Sequence, residues 1–211
     1  MIQGMAEPMN PAYRTLTGMI VPVFVVLLLQ FLGLPDELEY RRPVLLSEPW
    51  RLVTAHFVHL SWLHAVLNCV ALLLLERLFE GRLRRSEQWI VLAVAPLAIS
   101  LAFWIALPGL GWYRGLSGTL HAYYFAGCVV WLASASGHAR WLPSAALAGG
   151  AIKVLVEQPW DATFPFREWL GAAVVPQAHL FGALLGVAVG FIYARERRRS
   201  PAATDSPGVG K

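Results

Sequence analysis

Apolar residues along this chain gather into long runs separated by short polar stretches. A helix needs roughly 20 apolar residues to cross the hydrocarbon core of a bilayer, and six stretches read as candidate spans. They lie near Leu16–Leu34, Phe57–Leu78, Gln88–Leu107, Leu116–Ser134, Trp141–Val156 and Leu170–Ala194. The fifth carries Lys153 and Glu157 in or beside it, and these are expected to snorkel to the near interface or to pair at their i, i+4 spacing. The first ends in Leu-Pro-Asp-Glu with no small-residue cleavage site, so it reads as a retained helix and not as a signal peptide.

Composition strengthens this picture. Of the 211 residues, 57% are hydrophobic and only 14% are charged, and the mean hydropathy is +0.54. A soluble domain of this size cannot keep so many apolar residues from water, so the lipid bilayer is the expected surroundings. The net charge of +4 does not point to nucleic acid, because the basic residues cluster at the ends of spans. Arg77, Arg82, Arg84 and Arg85 follow the second span, Arg140 lies between the fourth and fifth, and Arg195, Arg197, Arg198 and Arg199 follow the sixth. With Arg14 and Lys211 they make eleven of the seventeen basic residues, all on one side if six spans are counted. That side is expected to be cytoplasmic, with both termini inside. The odd loops then face outward and carry interfacial aromatics: Trp50, Trp112, Tyr113, Trp160, Phe164, Phe166 and Trp169. The expected organisation is a short cytoplasmic segment 1–15, an all-α six-helix core over 16–194, and a basic, then disordered, tail over 195–211. Cys69 and Cys128 have no disulfide or zinc spacing and read as small packing residues.

Polar groups inside such spans are costly and suggest function. Three places stand out. In the second span His64 and Asn68 are four residues apart, on one helix face, where both can donate into one small volume. His59, about 140° around a continuous helix from His64, is expected to do something else, such as tying down the outer loop. The fourth span opens Gly109-Leu110-Gly111-Trp112-Tyr113-Arg114-Gly115-Leu116-Ser117-Gly118, a glycine-rich approach that sets Ser117 at or near a helix N-terminus. There the free backbone N–H groups and the positive end of the macrodipole stabilise developing negative charge. His121 follows at i+4 and by spacing alone is a possible base for Ser117. In the sixth span His179, Gly182, Gly186 and Gly190 share one face, and such a glycine row packs helices backbone to backbone. If the neighbour is the fourth span, His179 can reach Ser117. Singly, a membrane serine, a glycine row and a buried histidine are ordinary packing features. Their joint occurrence near one membrane face carries the functional reading.

These residues resemble the rhomboid family. Gly115-Leu116-Ser117-Gly118 looks like its GxSG motif, His179 with Gly182 and Gly186 looks like its HxxGxxxG motif, and Trp50-Arg51, His59, His64 and Asn68 look like its WR…H…HxxxN stretch. The resemblance implies a serine–histidine dyad without an aspartate: Ser117 as nucleophile, His179 as general base, and His64, Asn68 and the Ser117 backbone N–H around the oxyanion. Gly115, Gly118, Gly182, Gly186, His59, Trp50, Arg51 and His121 are expected to support that site. Ordinary rhomboids often carry an aromatic residue where His121 stands. Leu120-His121, the short chain and the Pro176-Gln177-Ala178-His179 lead resemble the bacterial rhombosortase subgroup. That subgroup implies processing of substrates ending in a Gly-Gly motif, a hydrophobic helix and a basic tail, although Ala122 stands where glycine is more usual.

The expected function is therefore an intramembrane serine endopeptidase in a bacterial inner membrane. Its active site faces outward, its substrates are transmembrane proteins, and it needs no cofactor or metal. An open polar cavity is expected to admit water to the outer half, with the loop near Pro159–Trp169 placed to cap it. The alternatives are a rhomboid protease with other single-span substrates, a catalytically dead rhomboid that binds membrane clients, and a b-type haem protein using two of His64, His121 and His179. A transporter fits less well, since matched broken helices are missing.

Overall fold

The computed structural model describes residues 18–158 and 175–199. Arg14, Lys211, the segment 1–15, the part of the expected tail beyond Arg199, the start of the sixth expected span, Trp160, Phe164, Phe166, Trp169 and the expected capping loop Pro159–Trp169 lie outside the described residues.

The described chain is helical, and six of its helices stand where the six apolar runs predict them. These are α1 (Ile20–Leu32), α4 (Trp62–Leu78), α5 (Arg85–Ala106), α6 (Ser117–Ser134), α7 (Trp141–Val156) and α8 (Pro176–Arg199). Two short helices, α2 (Pro35–Leu38) and α3 (Arg51–Thr54), lie in the long loop between α1 and α4. By length and composition α5 and α8 are each able to cross a membrane. Large apolar side chains are turned outward on most helices, for example Phe24, Phe31, Leu74, Ile105, Ile152 and Phe191. Such a surface suits lipid and not water.

The largest interface joins α6 and α8. Small residues make it possible. A Cβ added at Gly182 would stand 2.0 Å from the Gly118 carbonyl oxygen, and one at Gly186 would stand 2.4 Å from that of Ala122. Gly190 is pressed in the same way against Val129 and Ala126. The glycine row thus packs on the fourth span, the neighbour that lets His179 approach Ser117.

Basic residues meet at one end of the bundle. Arg85 pairs with buried Glu76, Arg197 with buried Glu87, and the Arg82 guanidinium lies 4.3 Å from the Trp131 ring centroid. Arg140, Arg195 and Arg198 line one further cavity. The expected pairing of Lys153 with Glu157 is present at 2.8 Å. Both cysteines are free and buried.

The other end holds the long loop in place through polar contacts. β1 (Tyr40–Arg41) pairs antiparallel with β2 (Trp112–Tyr113), joining this loop to the segment that leads into α6. Arg51 is buried and donates to the Asp36 and Glu39 carbonyls at 2.8 and 3.0 Å while pairing with Glu48. Arg114 pairs with Glu39 at 2.6 Å and also with Asp36. Arg42 donates to the last carbonyls of α5, including Trp104 at 2.8 Å, and so caps that helix. Trp50, beside Arg51, is half-exposed.

One expectation needs correction. The second span does not begin as helix at Phe57. Ser61 caps α4, its hydroxyl accepting the His64 N–H at 3.2 Å, and helix starts only at Trp62. His59 is therefore off the helix, and the 140° separation from His64 does not hold. The two rings instead meet edge to face at 4.8 Å.

Candidate active site

Ser117 is the first residue of α6, where backbone N–H groups are left without helical partners. Gly115 shapes the approach. Its φ of +127° lies in a region that disfavours side chains, and an added Cβ would stand 2.9 Å from the His64 ring. The Tyr113 hydroxyl donates to the Gly115 carbonyl at 2.5 Å, and the Gly115 N–H donates to Ala55 at 3.0 Å. His59 Nε2 accepts the Leu116 N–H at 3.4 Å. Its work is thus to hold the loop directly before Ser117. Buried His56 joins Ser100 of α5, at 3.1 Å, to Thr119 of α6, at 3.3 Å. His56 has no expected role from its place in the sequence. Its two partners come from two distant segments, so spacing holds no signal for it.

Across the α6–α8 interface, His179 Nε2 lies 2.9 Å from Ser117 Oγ. His179 Nδ1 lies 2.8 Å from Glu157 Oε2. A carboxylate only accepts, so the Nδ1 proton donates to Glu157 and the Nε2 lone pair accepts the Ser117 hydroxyl proton. Glu157 lies just beyond α7. Burial works against its charge, yet hydrogen bonds from His179 and Lys153 outweigh this and hold its carboxyl down to about 2. In the sequence Glu157 stands out only as a charge flanking the fifth span. Its position at the same end of the bundle as Ser117 and His179 was the available signal.

His121 does not reach the serine hydroxyl. Its Nδ1 donates to the Ser117 backbone carbonyl at 2.7 Å, and its Nε2 accepts from Lys153 Nζ at 3.1 Å. Its ring stacks on His179. Face-to-face stacking leaves no space for a macrocycle between these two imidazoles, so they do not form a haem ligand pair. His121, Glu157 and His179 do bring three potential metal-ligand atoms within 4.8 Å of one another. The Lys153 ammonium bonds to both His121 and Glu157, and so supplies the positive charge of this cluster itself.

A cavity of about 520 Å³ lies between α4, α6 and α7, and Asn68, Ser117, His121 and Lys153 line it. The remaining lining is mostly apolar, so the expected open polar cavity is polar only around these side chains. Asn68 Nδ2 is buried and makes no hydrogen bond within the described residues. His64 and Asn68 lie on α4, one turn apart.

No curated protein matches the chain significantly. The family model for the Rhomboid domain matches residues 46–196, well over half of the 211-residue chain. This match takes in every residue of the serine–histidine arrangement, and the chain belongs to the rhomboid family of integral membrane serine proteases.

Proposed function

We propose that this chain is an intramembrane serine endopeptidase in which Ser117 is the nucleophile and His179 the general base. One observation carries the reading: the 2.9 Å approach of His179 Nε2 to Ser117 Oγ, at a helix N-terminus beside a cavity. A serine hydroxyl needs such a base to attack near neutral pH.

In this mechanism the upper end of a substrate helix enters the cavity between α4 and α7. Small residues at the cut ease its unwinding. Ser117 Oγ attacks the scissile carbonyl carbon as its proton passes to His179 Nε2. The carbonyl oxygen becomes an oxyanion facing the Ser117 N–H, His64 and the Asn68 Nδ2 group, which has no partner among the described residues. Collapse of the tetrahedral intermediate expels the amine, which takes the proton from His179. Water, deprotonated by His179, then releases the acyl group and restores the hydroxyl.

Six helices cross the bilayer in this reading. The basic end is cytoplasmic and the Ser117 end faces outward, in a bacterial inner membrane. Leu120-His121 and the Pro176-Gln177-Ala178-His179 lead support rhombosortase-like processing of Gly-Gly-tailed membrane proteins. The test is labelling of the purified protein by a fluorophosphonate probe, followed by cleavage of a Gly-Gly-tailed single-span substrate beside one without that motif. Labelling and cleavage are expected to need both Ser117 and His179. Near-wild-type labelling in His179→Ala overturns the dyad. Equal cleavage of both substrates leaves a general rhomboid protease in place of the narrower subgroup.

A further inference from the structure

The five contacts around Ser117 form a closed ring. Ser117 Oγ meets His179 Nε2, His179 Nδ1 meets Glu157, Glu157 meets Lys153, Lys153 meets His121 Nε2, and His121 Nδ1 returns to the Ser117 carbonyl. Two features of Glu157 are not explained by helix stability. It sits at the C-terminal end of α7, where the macrodipole disfavours a negative charge. Its pairing with Lys153 also runs in the weaker direction, with the cation N-terminal to the anion. A carboxylate 2.8 Å from the free ring nitrogen of a general base has a direct use instead. It fixes the tautomer that leaves Nε2 free, and it stabilises the imidazolium formed when the serine gives up its proton.

Building on the Ser117–His179 dyad, we infer that Glu157 is its positioning residue, making a serine–histidine–glutamate relay held in register by Lys153 and His121. Glu157 acts only through His179. It orients the ring, receives the Nδ1–H hydrogen bond throughout, and is not itself protonated in the cycle. Lys153 bonds to both Glu157 and His121, and so keeps the carboxylate aimed and supports the ring stacked on His179. The charged and titratable groups facing His179 are Ser117 and His121 from α6, Glu157 and Lys153 from the α7 end, and His64 from α4.

The test is the pH profile, from about pH 4.5 to 9, of the fluorophosphonate labelling rate and of kcat/KM, with kcat and KM resolved at the optimum. Glu157→Gln keeps the shape but removes the charge, and Glu157→Asp keeps the charge on a shorter arm. Ser117→Ala and His179→Ala run beside them. In Glu157→Gln, kcat is expected to fall roughly 10²-fold or more with KM little changed, as when a triad carboxylate becomes an amide. The acid limb is expected to move to lower pH, because the imidazolium has lost its anion. Glu157→Asp is expected to recover part of the rate and to restore the limb. A purely structural role would lower the amount of active protein but leave the limb in place. An unmoved limb in Glu157→Gln, with Ser117→Ala and His179→Ala both dead, overturns the inference and leaves the dyad standing. Survival of labelling in His179→Ala removes the dyad and the inference with it.

Discussion

The imidazoles of His121 and His179 lie face to face, with ring centroids 4.2 Å apart and planes 14° from parallel. Both of His121's nitrogens are engaged elsewhere, by the Ser117 carbonyl and by Lys153. Its ring face is therefore what it offers to His179. A flat side chain on α6 limits the tilt of the α8 histidine and keeps Nε2 directed at the serine.

This stacking predicts a graded response at position 121. Aromatic stacking contributes about 1 kcal/mol beyond burial, which corresponds to roughly a fivefold change in rate. His121→Phe keeps the face and loses the hydrogen bonds, so kcat is expected to fall less than in His121→Ala. The alanine variant is expected to lose about fivefold to tenfold of kcat/KM and to keep measurable cleavage. Complete loss in His121→Ala, with activity kept in His179→Ala, would make His121 the base.

How far the sequence carried can be seen at particular residues. The helices and the glycine row were legible because each depends on spacing along one helix, whereas the approach of His179 to Ser117 was conditional on which helix that row packs against. The start of α4 was not legible, because one hydroxyl decides it: Ser61 takes the His64 N–H and leaves His59 in the preceding loop. Glu157 and Lys153 were visible as charges at the end of a span. What they touch depends on the way α7 leans on α6 and α8, and no local pattern encodes that. His56 was hidden for the same reason, since Ser100 and Thr119 are far from it in sequence.

The α6–α8 seam predicts a strong contrast between two glycines. A Cβ at Gly182 would stand 2.0 Å from the Gly118 carbonyl oxygen, which is backbone and cannot swing aside. Gly182→Ala must therefore push α8 away from α6, and overpacking of this kind costs about 1–3 kcal/mol. The same shift lengthens the Ser117–His179 contact, so melting temperature and labelling rate are expected to fall together. Gly149 is the control within α7, since a Cβ there meets nothing within 4 Å. Gly149→Ala is expected to hold or raise the melting temperature, by up to about 1 kcal/mol of helix propensity. Thermal unfolding in detergent measures both. Equal melting of Gly182→Ala and wild type would show that the two helices are not in this close contact.

Asn68 predicts that stability and activity separate. Its buried Nδ2 makes no hydrogen bond within the described residues, and it lines the same cavity as Ser117. A buried donor without a partner costs about 1–3 kcal/mol, so the resting protein gains little from this group. In the proposed mechanism its partner arises only when the substrate carbonyl becomes an oxyanion, and removing one such donor costs about 10²–10³ in kcat. Asn68→Ala is therefore expected to melt within about 3 °C of wild type while kcat falls by about two orders of magnitude. KM should stay nearly constant, because the lost interaction belongs to the transition state and not to the bound substrate. Steady-state cleavage of a single-span substrate, beside thermal unfolding of the same preparations, separates the outcomes. A raised KM with kcat unchanged would place Asn68 in ground-state binding, and a large fall in melting temperature would make it a structural residue of α4.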